Sequence, residues 1–208
     1  MAANPNLSAV DPLAVLDAMQ PVVRREMLKE FTPDCCIATT RVLKRALAVF
    51  GIEAEPVAVG VRIYNAAMRR LLNRAPLPTD PRKKERLLAL TGAWGIGICP
   101  HGNEERFGGH LVLRVGSLLV DASLQQAERP NKGILLDPLV VAKPHPAFFA
   151  PKQYGEEFGI DIHGCLVVYE RIRDESFRRA PDWLRTGSPY TDVLRGIVSA
   201  TKERLNQQ

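Results

Sequence analysis

No stretch of the sequence approaches the roughly 18 consecutive apolar residues that cross a bilayer as a helix, and residues 1–11 carry neither a basic segment nor an apolar run of secretory type. Membrane-spanning and exported classes are therefore not expected; a cytoplasmic protein with no membrane partner is. Cysteine is scarce: there are 4, of which Cys35 and Cys36 are adjacent while Cys99 and Cys165 are distant. That is no disulfide framework for a chain of 208 residues, so reduced thiols are expected. Internal repeats and low-complexity tracts are missing, which excludes a solenoid. Glycine-rich phosphate loops are missing too. Gly92, Gly95 and Gly97 fit neither nucleotide-binding pattern, and no nucleotide cofactor is expected.

What the chain does have is 46% apolar residues, enough to build a substantial core. The expectation is one domain over residues 1–208, with residues 1–10 flexible. The net charge of +5 is concentrated: residues 69–86 hold seven bases (Arg69, Arg70, Arg74, Arg82, Lys83, Lys84 and Arg86) and two acids, and the remainder sums to zero. This run lacks interleaved aromatics, and no nucleic-acid motif surrounds it. It reads as a solvated surface excursion, with contact to phosphates or an acidic protein surface as the alternative.

Residues 11–31 predict a helix, since Leu13, Leu16, Met19, Val23 and Met27 recur at helical spacing, although Pro21 should kink or split it. Thr32-Pro33-Asp34 supplies an N-cap and a proline for the first helical position, predicting a second helix from about residues 33–35 to Phe50, stopped by Gly51. Strands are predicted at 54–63, 94–98, 110–115, 118–121, 139–142 and 164–172, a short helix at 64–73 and a last helix at 191–205. Helices first, then mostly hairpin-connected strands, then a helix is an α+β order with a largely antiparallel sheet.

Two of these elements carry chemistry. Cys36 falls in the first turn of its helix, where the macrodipole and unpaired backbone N–H groups favour a thiolate. In the hairpin, a two-residue turn at Gly116-Ser117 pairs Val115 with Leu118 and sets Val112 opposite Asp121. Residues two apart share a face, so His110 lies beside Asp121, diagonal to it and within hydrogen-bond reach. A slip of one residue would separate them. A thiol, an imidazole and a carboxylate are the parts of nucleophilic cysteine catalysis.

The pattern of Cys36 at a helix start, Gly51-Ile52 fifteen residues later, Ala54 leading an apolar strand, and a hairpin with His110 on one strand and Val120-Asp121 on the next resembles the transglutaminase-like branch of the papain-like superfamily. The likeness covers residues 34–54 and 109–125. It implies a papain-like fold of N-terminal helices packed on a mostly antiparallel sheet, with Cys36 as nucleophile, His110 as general base and acid, and Asp121 as orienter. It also implies a peptide or amide substrate, within a protein or free, and no cofactor. Arylamine N-acetyltransferases are more distantly similar at the same points, but here Thr32-Pro33-Asp34 replaces their Arg-Gly-Gly. Ordinary transglutaminases have Trp near the histidine, where Leu111-Val112 stands here.

The expected reaction is hydrolysis by a cysteine protease or amidase, with transfer to an amine as the variant. The alternative is an inactive relative that binds nucleic acid or an acidic partner through residues 69–86. For the oxyanion hole, the Cys36 backbone N–H and the Gln20 side chain are the candidates. Cys99, His101, His163 and Cys165 offer a four-ligand zinc set, but neither pair has the separation of structural zinc motifs, so no metal is expected.

Overall fold

The computed structural model describes residues 10–32, 35–98 and 107–207. It is a mixed α+β structure. Helix α1 (Pro12–Met27) starts at Asp11, whose side chain accepts from the Leu13 N–H. Contrary to expectation, α1 runs through Pro21 unbroken. Pro21 and Asp17, whose carbonyl loses its helical donor, both lie on the exposed face, where water can replace that bond. Helix α2 (Cys36–Val49) follows, and its N-cap is Cys35 rather than Thr32; Asp34 lies outside the described residues.

The sheet has seven strands: β1 (Glu55–Tyr64), β2 (Gly95–Ile98), β3 (His110–Val115), β4 (Leu118–Asp121), β5 (Val140–Ala142), β6 (Glu157–Ile162) and β7 (Cys165–Arg171). Their order is β5-β4-β3-β1-β7-β6, with β2 also on β1, and every pairing is antiparallel. The central strand β1 pairs with β7 along one edge; on the other it pairs first with β3, from Glu55 to Val59, and then with β2, from Val61 to Tyr64. Strand β6 was not anticipated. Its residues alternate Phe158, Ile160 and Ile162 with exposed positions, and the β6–β7 turn is His163-Gly164, both at positive φ. Gly164 is therefore a turn residue, not a strand start.

Helices α3 (Ala66–Arg74) and α4 (Pro81–Thr91) form the basic excursion; α4, unforeseen as a helix, has no buried residue. The chain closes with α5 (Pro181–Leu184) and α6 (Ser188–Leu205). Helices α1, α2 and α6 pack on one face of the sheet, burying Val15, Met19, Val42, Leu47 and Ile197 against Leu113, Val115 and Val120. On the other face Val59, Val61, Val112, Leu119 and Val167 pack against Leu124, Ile134 and Phe148 from loops and short turns. No helix among the described residues is long and apolar enough to cross a membrane.

Candidate active site

The two adjacent cysteines go to different surroundings. Cys35 is buried under α1 and α6, its Sγ 3.3 Å from Thr39 Oγ1, and burial pushes its thiol pKa up. Cys36, the first residue of α2, is half-buried and packs against the buried cluster of Ala58, Leu111 and Phe177, which Phe107, Ile172 and Trp183 also flank. Phe177 stands edge-on to both Phe107 and Trp183, at 5.7 and 5.1 Å between centroids, so the cluster that Cys36 joins has an aromatic wall. As N1 of the helix, Cys36 also contributes a backbone N–H with no helical acceptor.

One bond sets α2 over β3: Thr40 Oγ1 donates to the Leu111 carbonyl at 2.8 Å. Thr40 is a helical turn beyond Cys36, and Leu111 adjoins His110. Leu111 lies with Cys36 in one cluster while Val112 belongs to the opposite face, so His110, by alternation, points away from the helices. Cys36 and His110 are nevertheless each the first residue of their element, and the thiol is near enough to help raise the imidazole pKa. Gly109 makes that end narrow. A Cβ there would stand 2.7 Å from Ile172 Cδ1 and 3.1 Å from the Val59 carbonyl oxygen.

The hairpin has the register expected from its turn, with Val115 opposite Leu118 and Leu113 opposite Val120, and Gly116 takes φ +58°. His110 and Asp121 are both fully buried, and Nε2 of the imidazole lies 2.8 Å from Asp121 Oδ2. Three further donors reach this carboxylate: the Ser123 backbone N–H at 2.9 Å, Ser123 Oγ at 3.3 Å and, from β7, Tyr169 Oη at 3.1 Å. Burial alone would raise the Asp121 pKa; the His110 charge and these hydrogen bonds hold it below the usual carboxylate range. Burial alone would likewise strip the proton from His110. Asp121, by charge and hydrogen bond, and Cys36, by the same two means, outweigh it, and the His110 pKa is pushed up to about 10.

Since Nε2 is committed to Asp121, Nδ1 is the ring nitrogen left for another partner. Gln126 Nε2 sits 3.4 Å from that Nδ1, while Gln126 Oε1 is buried without a partner among the described residues. This orientation of the carboxamide serves a neutral imidazole; a half-turn would present Oε1 to the N–H of an imidazolium. Gln126 and Tyr169 were not among the residues singled out from the sequence. For Gln126 a signal exists, the Ser123-x-x-Gln126 spacing of a helical turn, here a 3₁₀ turn (Leu124–Ala127) that folds back over the hairpin. For Tyr169, on β7 and three strands from β4 in the sheet order, no local signal does.

Other expectations fare differently. Gln20 does not join the site; it lines a separate cleft with Asp17, Leu139 and Ile160. Cys99 and His101 lie outside the described residues. His163 pairs at the surface with Asp137, at 2.9 Å, whereas the buried Cys165 thiol donates to the Gly133 carbonyl. Among the described residues no group of three His, Cys, Asp or Glu side chains is placed to hold a metal ion. In the basic run Arg69 pairs with Asp161, and Arg70, Arg74, Arg82, Lys83, Lys84 and Arg86 are exposed. Comparison of the chain with family models, with curated proteins and with solved structures gives no match.

Proposed function

We propose that the protein is a cysteine-dependent acyl-transfer enzyme of the transglutaminase-like, papain-like kind, hydrolysing a peptide or amide bond. The observation that carries this reading is the buried His110 Nε2 to Asp121 Oδ2 bond of 2.8 Å, with the half-buried Cys36 near enough to help raise the imidazole pKa. A histidine held in one tautomer by a buried carboxylate, with a thiol nearby, supplies the parts that nucleophilic cysteine chemistry requires.

In this reading Asp121 fixes the Nε2–H and stabilises the imidazolium. His110 holds the proton displaced from Cys36, and the sulfur attacks the substrate carbonyl carbon. The developing oxyanion takes the Cys36 backbone N–H as one donor. His110 returns its proton to the leaving amine, the C–N bond breaks, and a thioester remains on Cys36. Water then attacks with His110 as base, releasing the acid and restoring the thiol. The aromatic wall of Phe107, Phe177 and Trp183 favours an apolar group beside the scissile carbonyl. Water is present at every turnover whatever the substrate, which favours hydrolysis over transfer to an amine.

The test is site-resolved alkylation with iodoacetamide at pH 6.5, read by mass spectrometry, followed by a screen of peptide and amide substrates with the reactive protein. Cys36 is expected to react at least about tenfold faster than Cys35, Cys99 and Cys165. His110→Ala should abolish that difference. Equal reactivity of the four thiols in the folded wild type would remove the basis for catalysis.

A further inference from the structure

Away from Cys36, one buried polar side chain organises a second concavity. Asn65, 6% exposed, caps α3 by accepting from the Met68 N–H at 2.9 Å, and the same Oδ1 accepts from the Trp94 N–H at 3.1 Å. Its Nδ2 donates to the Gly92 carbonyl at 2.9 Å and to the Lys132 carbonyl at 2.8 Å. A single amide thus pins the start of α3, the end of α4, the approach to β2 and the turn Pro130–Lys132. Those four segments wall a cleft of about 900 Å³. Its volume lies in the range of small-molecule sites, and its walls are tied in place by hydrogen bonds that do not involve a ligand.

The lining has two chemical parts. Met68, Leu88 and Trp94 offer an apolar surface, and the lining also includes two basic residues, Lys84 and Lys132, against one acidic residue, Glu85. Among the described residues neither lysine has a carboxylate within salt-bridge distance. Lys84 comes from α4, which buries nothing of its own. An amphipathic helix with half-buried Leu87 and Leu88 above an apolar floor gains burial only if something fills the space beneath it. The cleft is also distinct from the Cys36 site. Along β1, Val59 stands opposite His110 and Tyr64 opposite Gly95, a separation of roughly 17 Å at strand rise.

We propose that this cleft binds a small amphipathic anion: an alkyl or aromatic body against Met68, Leu88 and Trp94, with its carboxylate or other acidic head between Lys84 and Lys132. A polyanion such as nucleic acid is a poorer fit. It would demand a convex or open basic track with stacking aromatics, whereas here the two lysines flank a concave apolar floor with one tryptophan.

The experiment is titration of the full chain with 1-anilinonaphthalene-8-sulfonate, following energy transfer from tryptophan, and then displacement by octanoate, octyl phosphate and the neutral analogue octanol. One saturable site per chain is expected, displaced by the two anions and not by octanol. Transfer should fall in Trp94→Phe, which leaves Trp183 as the other donor. Binding should weaken roughly tenfold in the Lys84→Glu, Lys132→Glu double variant, by loss and reversal of two exposed charges. Thermal melts verify that this variant folds; if it does not, Lys84→Gln, Lys132→Gln replaces it. The proposal is overturned by unsaturable binding, by octanol displacing as well as octanoate, by unchanged affinity in the charge variant, or by displacement of the probe by a short DNA duplex. Cys36→Ala should bind the probe like wild type, so the outcome stands apart from the catalytic reading.

Discussion

Thr40 Oγ1 and the Leu111 carbonyl, 2.8 Å apart, join the helix that begins at Cys36 to the strand that begins at His110. Both groups are buried within the protein, and each lies a short step from a proposed catalytic residue, so the bond sets the distance between two elements 71 positions apart in sequence. Thr40→Val keeps the shape of the side chain and removes the donor. The expected cost is about 1–2 kcal/mol in denaturant unfolding, together with slower alkylation of Cys36. A loss of stability with unchanged Cys36 reactivity would make the bond a fold contact with no part in placing the thiol.

His110 gives a pH signature with a definite sign. Its pKa is pushed up to about 10 against an ordinary value of 6.5, so the folded protein holds this proton more tightly than the unfolded chain. The resulting stabilisation is complete below about pH 6.5 and is lost as pH rises through about 10. Imidazole resonances in NMR should therefore show His110 protonated at pH 8. In Cys36→Ala the value should fall yet stay above the ordinary range, because Asp121 remains. In Asp121→Asn the largest opposing influence is gone, and burial should carry it below that range. A wild-type His110 that titrates between pH 6 and 7 would contradict the ion-paired site.

Tyr169 supplies one of the donors that keep Asp121 ionised without water. Burial and then the Asp121 charge push the phenol pKa up, so it remains a donor throughout the working pH range. Tyr169→Phe leaves a buried carboxylate one bond short, at an expected cost of about 1–3 kcal/mol. Asp121 is stabilising above the unfolded carboxylate value and loses that contribution as pH falls through its lowered folded value. The variant raises the folded value, so its acid unfolding midpoint should move to higher pH than that of wild type. An unchanged midpoint would assign the phenol to packing alone.

Gln126 acts on the other side of the ring as a positioning residue. Gln126→Leu retains bulk and removes both amide functions facing Nδ1. Cys36 alkylation should slow several-fold and its pH profile should shift, while thermal stability changes little because the lost contact is a long 3.4 Å bond and Oε1 had no partner among the described residues. Gln126→Glu should move the profile the opposite way, since a second carboxylate would hold the His110 proton more firmly. Identical profiles in wild type and both variants would leave Gln126 without a role in the site.

Much of this arrangement was legible along the chain where short-range rules apply. Gly116-Ser117 sets the hairpin register, and strand alternation then puts His110 beside Asp121, so that pair follows from parity alone. The helical spacing after Cys35 likewise places Cys36 in a first turn. Strand β6 escaped because its acidic, glycine-containing alternation is that of a half-exposed edge, and α4 because a helix with no buried face has no apolar stripe to read. Pro21 was read as a breaker, but the exposure of its helix face removes the penalty that rule assumes.

Local sequence thus determined most of the elements, the hairpin pairing and the place of Cys36 in a first helical turn, because backbone sterics, turn chemistry and side-chain periodicity act over a few residues. Tertiary structure alone decided that Cys36 lies near enough to His110 to affect its pKa, that Tyr169 crosses from β7 to Asp121, that Gln126 rather than Gln20 stands by the imidazole, and that Asn65 closes a cleft between four segments. Those contacts join residues whose separation along the chain carries no information about their separation in space. They exist because burying the apolar faces of the sheet forces the polar groups at its strand ends to find partners among whatever segments the packing brings to them.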